Sequence, residues 1–217
     1  TIATVAARWK ADCGWITGMR TAAATAASAR QLAREDSRIL GMLGCGGQGR
    51  TNTEALKVLF PIEEVRAYDF SLEAVRSFQE DIEQRLDLEV TPVEPPREAV
   101  SGCDLVVTAG PILKQPHKTI KAGWLDEGAF ASLVDFDSYW DPAALHEVDK
   151  FCTDDLAQFE YYKTVGYFQD VPPVHGDLGQ LVTGEVSGRE SDRERTIACN
   201  LGLAIDDMAV APTLYRR

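Results

Sequence analysis

The chain has 217 residues, 45% of them hydrophobic, 26% charged and 8% aromatic, and its 22 Lys and Arg against 34 Asp and Glu give a formal net charge of −12. This is the balance of a globular chain long enough to bury a core without cross-links, and its acidity argues against nucleic acid or an anionic membrane surface as partner. The five cysteines (Cys13, Cys45, Cys103, Cys152, Cys199) are odd in number and irregularly spaced, which points to a reducing, cytoplasmic setting, and no apolar run approaches the roughly 20 residues that span a bilayer.

Thr21 to Arg34 is alanine-rich, without Gly or Pro, and predicts a helix with a small-residue face. The apolar run Ile39 to Leu43 follows and ends in Gly44-Cys45-Gly46-Gly47-Gln48-Gly49. Gln48 to Phe60 reads as a helix stopped by Pro61, and Val65 to Tyr68 as a strand ending at Asp69. Ser71 is placed to cap the next helix, whose Leu72, Val75, Phe78, Ile82 and Leu86 recur every three or four residues. Further strands are expected at Leu88 to Val93, Leu105 to Thr108, Ala129 to Val134 and Phe151 to Thr153. Short helices are expected after Pro95-Pro96 and over Pro142 to Glu147. Val165 to Gly188, rich in Gly and Pro, reads as a surface excursion, and Thr196 to Ala211 as a last helix. Buried-type strands alternating with helices predict an α/β fold, a Rossmann-type doubly wound and mostly parallel sheet.

Gly44, Gly46 and Gly49 satisfy G-x-G-x-x-G directly after a strand and at the opening of a helix. In that setting Gly44 permits a tight turn, Gly46 lets backbone N–H groups reach a pyrophosphate, and Gly49 lets the helix pack closely on the strand. The helix N-terminus then favours a negative charge. Asp69 lies 20 residues beyond Gly49, at the end of the second strand, where a carboxylate can accept both hydroxyls of an adenosine ribose and repel a 2′-phosphate. The cofactor expected is therefore NAD. A glycine-rich turn without a ligand, with Asp69 merely closing a strand, is the plainer alternative; the agreement of strand, glycines, helix and acid weighs against it. Arg50 can meet the pyrophosphate or stand solvated in the first helical turn.

The segment Thr17-Gly18-Met19-Arg20-Thr21-Ala22-Ala23, the alanine-rich helix and the loop Gly44 to Arg50 resemble the ornithine cyclodeaminase and mu-crystallin family. So do His175 to Gly184 (with Asp177 and Gln180 in place of two acids), Gly188-Arg189, Thr196 (matching a Thr that the family carries in a short strand) and Gly202 to Asp207, in the family's order from about residue 15 to the end. The resemblance implies that Arg20 pairs with a substrate carboxylate, a task suited to a guanidinium fork. It implies that Thr21 touches the cofactor phosphates, that Gly47 and Gln48 belong to the phosphate loop, and that Ala109 with Gly110 passes the nicotinamide side. Asn200 stands near where a small hydroxyl residue often meets that side, and its amide can still hydrogen-bond. Asp137 matches the family's acid–base carboxylate, which takes a proton beside the substrate Cα and orients a nucleophile. Asp135, where the family usually has Gly, is its rival. Asp141 stands where family cyclodeaminases carry a Lys.

The resemblance further implies an NAD-dependent enzyme that oxidises an α-amino acid at Cα by hydride transfer with deamination, cyclising ornithine-type substrates to proline-type products. The alternatives are a net amino-acid dehydrogenase, a ketimine or cyclic imine reductase, and a non-catalytic crystallin-like NAD(P)H-binding protein. Its partners would be a small-molecule amino acid or cyclic imine and further copies of itself, in a homodimer or higher homo-oligomer. Residues 1–35 are expected to form a lead-in strand or turn and a linking helix. Residues 36–217 would form the NAD-binding domain, its C-terminal end returning toward a substrate and dimerisation domain that is largely absent from a chain starting at Thr1 without Met. His117, His146 and His175 are too far apart for metal-ligand spacing and read as structural. Cys45, at a helix N-terminus, has the setting of an oxidisable thiol or of a small loop-filling residue. Phe159, Tyr161, Tyr162, Tyr167 and Phe168 read as packing aromatics or as the lining of a substrate pocket.

Overall fold

A computed structural model describes residues 13–215. Helix α1 (Cys13–Leu32) leads into β1 (Ile39–Leu43), α2 (Gly47–Leu59), β2 (Glu64–Tyr68), α3 (Leu72–Leu86) and β3 (Glu89–Pro92). A 3-10 turn (Pro96–Ala99) precedes β4 (Leu105–Thr108) and β5 (Phe130–Leu133), which are followed by α4 (Pro142–Leu145), β6 (Lys150–Thr153) and α5 (Leu156–Thr164). The chain ends with β7 (Gly176–Asp177), α6 (Leu178–Thr183), β8 (Thr196–Cys199) and α7 (Ala204–Tyr215). The strands form one sheet in the order β3-β2-β1-β4-β5-β8-β6-β7, and every pairing is parallel.

Successive residues of each strand feed opposite faces of the sheet, and each face has its own core. Leu40, Met42, Leu105 and Val107 pack with Leu32, Leu56, Phe78 and Ile82 from α1, α2 and α3. Leu43, Val106, Leu133 and Ile197 pack with Tyr139, Trp140, Phe159 and Phe168. Burial on both faces explains why the central strands are almost wholly apolar. Ser71 caps α3 by accepting the Ala74 N–H at 3.3 Å, as its position predicts.

The final segment departs from the sequence reading. Thr196 to Cys199, expected to be helical, is the buried strand β8, registered between β5 and β6 (Phe130 and Lys150 both opposite Thr196). The helix starts only at Ala204, after Gly202 turns the chain with φ +86°. The excursion from Val165 to Gly188 contains the edge strand β7 and helix α6, which Asp177 and Gln180 open with a reciprocal capping box. Helix α1 covers Cys13–Leu32, so Arg20 and Thr21 lie within it; residues 1–12, where much of the expected lead-in falls, lie outside the described residues. Among the described residues no helix is long and apolar enough to cross a membrane.

Candidate functional site

The chain's loops at the carboxyl ends of β1, β2, β4, β5, β6 and β8 carry almost every residue singled out above, the edge where open parallel sheets bind ligands. Gly44 turns off β1 with φ +105°, and a Cβ there would fall 2.6 Å from the Ala109 carbonyl carbon, so β1 and β4 leave the sheet in backbone contact. A Cβ on Gly49 would collide with the Gly44 oxygen, which is the close helix–strand approach the motif predicts. Gly46 is the N-cap of α2 with no side-chain cap, and a Cβ added at Gly46 or Gly47 would meet nothing within 4 Å. The result is an open cradle of backbone N–H groups at the positive end of a 13-residue helix. In its first turn the Gln48 Oε1 is buried without a hydrogen-bond partner among the described residues.

Asp69 closes one end of this cradle. Its Oδ2 accepts the Cys45 N–H at 2.8 Å and its Oδ1 the Ser71 N–H at 2.9 Å, so the carboxylate is held in one orientation with lone pairs to spare. Arg50 turns away from the cradle: its guanidinium donates to the Cys45 carbonyl at 2.8 Å and to Ser77 at 3.0 Å, and pairs with Asp81 at 3.3 Å. It thus fastens the loop to α3. Burial pushes the Cys45 thiol up to about 12, so this cysteine fills the loop as an unreactive thiol.

At the other end, Ala109 and Gly110 follow β4. The fully buried Asp135 accepts the Thr108 hydroxyl at 2.6 Å and the Gly110 N–H at 2.9 Å, and desolvation raises its carboxyl to about 7. Two residues on, Asp137 is 7% exposed and its Oδ1 has no hydrogen-bond partner among the described residues; burial raises its pKa as well. Phe136 between them adopts φ +62° and packs on Tyr162, Tyr167 and Phe168. The two acids thus differ in setting: Asp135 spends both oxygens inside the fold, and the Oδ1 of Asp137 has no partner among the described residues. Asp141 caps α4 through the Ala143 N–H at 3.1 Å and pairs with Lys121 at 3.1 Å.

Thr21 is buried on α1. Asn200 is buried as well: its amide accepts from Ser28 of α1 at 3.1 Å and donates to Ser132 of β5 at 2.9 Å, and Ser132 in turn meets Thr25 at 2.9 Å. This polar seam holds α1 on the sheet. Arg20, further along the same helix, lies against Gly202, where a Cβ would collide with its guanidinium, and its Nε is 3.2 Å from an Asp207 oxygen. Sequence reasoning missed the groups that place Gly202: buried Asp154 accepts its N–H at 2.7 Å and the Gln158 amide donates to its carbonyl at 3.0 Å. The available signal was an acid directly after an apolar strand. The three histidines have local partners: Thr119 for His117, Asp170 for His146 and the Ser187 carbonyl for His175.

The sequence profile of the ornithine cyclodeaminase/mu-crystallin family matches residues 10–217. The chain belongs to that family. It is 34% identical over 216 residues to the alanine dehydrogenase of Archaeoglobus fulgidus, covering 94% of this chain and 64% of that protein. Among solved structures it is similar to the Δ1-pyrroline-2-carboxylate reductase of Thermococcus litoralis in complex with NADH and L-proline, with a TM-score of 0.80 and 29% identity over 93% of this chain and 64% of that one. An archaeal alanine dehydrogenase dimer with bound NAD gives a TM-score of 0.79 and 34% identity, again over 93% and 64%. The chain thus spans about 64% of the length of these relatives.

Proposed function

We propose that this family member binds NAD along the carboxyl edge of its sheet and serves the oxidation of an α-amino acid at Cα with deamination, in an assembly of two or more copies. The observation that carries the cofactor reading is the open backbone cradle of Gly46 and Gly47 beside the clamped Asp69 carboxylate. The buried, unpartnered Gln48 oxygen in the first turn of α2 is a further group left for a ligand. NAD, when bound, supplies the hydride acceptor. The α2 N-terminus receives the pyrophosphate charge, with Thr21 beside it, and Asp69 accepts the ribose hydroxyls and repels a 2′-phosphate. Ala109 with Gly110 walls the nicotinamide side, with Gly44 turning against Ala109, and the Asn200 amide fixes the end of β8 on the far side of β5. Arg20 orients the substrate carboxylate with its guanidinium fork, its Nε facing Asp207. Asp137, poised by burial and with Oδ1 unpaired, takes and returns the substrate proton.

Asp141 favours a second reading. It holds a helix cap where family cyclodeaminases carry a cation, which supports a net dehydrogenase, an imine reductase or a crystallin-like NAD(P)H-binding protein. Incubating the purified protein with NAD and a panel of α-amino acids, with NADH absorbance and ammonia release followed separately, discriminates among them. Ammonia without net NADH marks cyclodeamination, both together mark dehydrogenation, and neither, with NADH still bound, marks the binding role. Asp137→Asn is expected to lower turnover by roughly 10²-fold or more while NADH binding persists; undiminished turnover removes Asp137 from the mechanism.

A further inference from the structure

The loops after β4 and β5 are joined by side chains more extensively than strand pairing requires. Asp135 takes the Thr108 hydroxyl on Oδ1 and the Gly110 N–H on Oδ2. Thr108 also lies 3.5 Å from the Trp140 indole N–H, which donates to it. One residue beyond Asp137, Ser138 donates to the Asp135 carbonyl at 2.7 Å while accepting the Leu113 N–H at 2.9 Å. Gly110 has no room for a side chain, because a Cβ would fall 2.5 Å from the Tyr139 ring. Thr108, Asp135, Ser138, Tyr139 and Trp140 are all buried, and Asp135 is fully so.

We propose that Asp135 is a positioning residue that clamps the Ala109–Gly110 wall of the cofactor site to the turn carrying Asp137, so that the wall and the proton-transferring carboxylate are held as one unit. The cofactor part of this inference rests on the reading of Ala109 and Gly110 given under the proposed function. The clamp is made of hydrogen bonds and does not depend on charge. An Asn at this position can accept the Gly110 N–H with its oxygen and donate to Thr108 with its amide. Alanine leaves the Gly110 N–H and the buried Thr108 hydroxyl without that partner.

Two measurements on the full chain test it. In amide hydrogen exchange, Gly110 N–H is expected to be protected in wild type and in Asp135→Asn and deprotected in Asp135→Ala; equal protection in Asp135→Ala overturns the clamp. This readout needs no ligand, so it decides the clamp even if the chain binds no NADH, an outcome that counts against the cofactor reading instead. In fluorescence titration with NADH, Asp135→Ala is expected to weaken binding roughly tenfold or more, the loss that accompanies unpaired buried groups, and Asp135→Asn to restore most of it. NADH affinity unchanged in Asp135→Ala, or Asp135→Asn as weak as Asp135→Ala, overturns the positioning role. Thr108→Val, near-isosteric and lacking one donor, is expected to fall between wild type and Asp135→Ala, which keeps the test decisive should Asp135→Ala fold poorly.

Discussion

Asp135, Asp137 and Asp154 sit just beyond β5 and β6, where burial raises each carboxyl above its ordinary range. For Asp135 the move from 3.8 to about 7 means that the folded state binds a proton which the unfolded chain releases near pH 4. The stability this proton confers, on the order of 4 kcal/mol, is present below about pH 4 and is lost as pH rises through about 7. Of the groups around Asp135 that also ionise, Asp137 is raised by burial with the same sign and shares in the wild-type slope, whereas Tyr139 and Cys199, raised from already alkaline values, keep their protons in both states across that window. Asp135→Asn isolates one contribution: between pH 5 and pH 8 its urea midpoint should fall less than that of wild type. Parallel curves would show that Asp135 does not titrate in that window.

Helix α1 carries Arg20 and Thr21, and its register on the sheet is set at its far end. There the Arg189 guanidinium donates to the carbonyls of Leu32, Ser191, Glu194 and Ala129 and to the Thr196 hydroxyl, at 2.7 to 3.3 Å. Thr196 also donates to Leu32 O at 2.7 Å, and the Arg189 N–H donates to Gln31 O at 2.9 Å. A cation at a helix C-terminus is favoured by the dipole as well. Arg189→Ala should therefore cost about 2–4 kcal/mol in denaturant unfolding, and Arg189→Lys should recover only part, because an ammonium cannot reach a planar set of five acceptors. Full recovery by Lys would reduce the role to charge. Gly188-Arg189 was visible in the sequence only as a motif, and its structural task depends on contacts from α1 to β8. The same long-range pairing hid β8 from the residue pattern, although the family resemblance set Thr196 in a short strand: four residues, Thr196 to Cys199, hold no periodicity that separates strand from helix, and their partners β5 and β6 precede them by dozens of residues. β1 and β4 were legible because each is a short apolar run bounded by turn residues, and β2 because its buried Val65 and Ala67 alternate with more exposed residues up to Asp69. The glycine cradle and Asp69 were legible because the chemistry lies in local order. Arg20 facing Asp207, and Asp135 reaching back to Thr108 and Gly110, were not, because each joins residues of separate loops or helices.

Across the whole molecule the proposed site runs along the sheet from the end of β2 to the end of β5, so a dinucleotide bound there would touch several strand ends at once and would bind only the folded chain. Binding of that kind stabilises by mass action, about 2.7 kcal/mol at a ligand concentration one hundred times Kd. For a chain of this length that corresponds to a rise in Tm of roughly 5–10 °C. In the proposed site Asp69 would make the rise selective, since both its oxygens are pinned by backbone N–H groups and its carboxylate cannot swing away from a 2′-phosphate without leaving the Cys45 and Ser71 N–H groups unpaired. NADH should therefore shift the melting curve and NADPH at the same concentration should shift it little. In Asp69→Ser the NADH shift should shrink and the difference between the two narrow. Equal shifts in wild type would overturn Asp69 as the selecting group, and no shift with either dinucleotide would remove the cofactor from the carboxyl edge altogether.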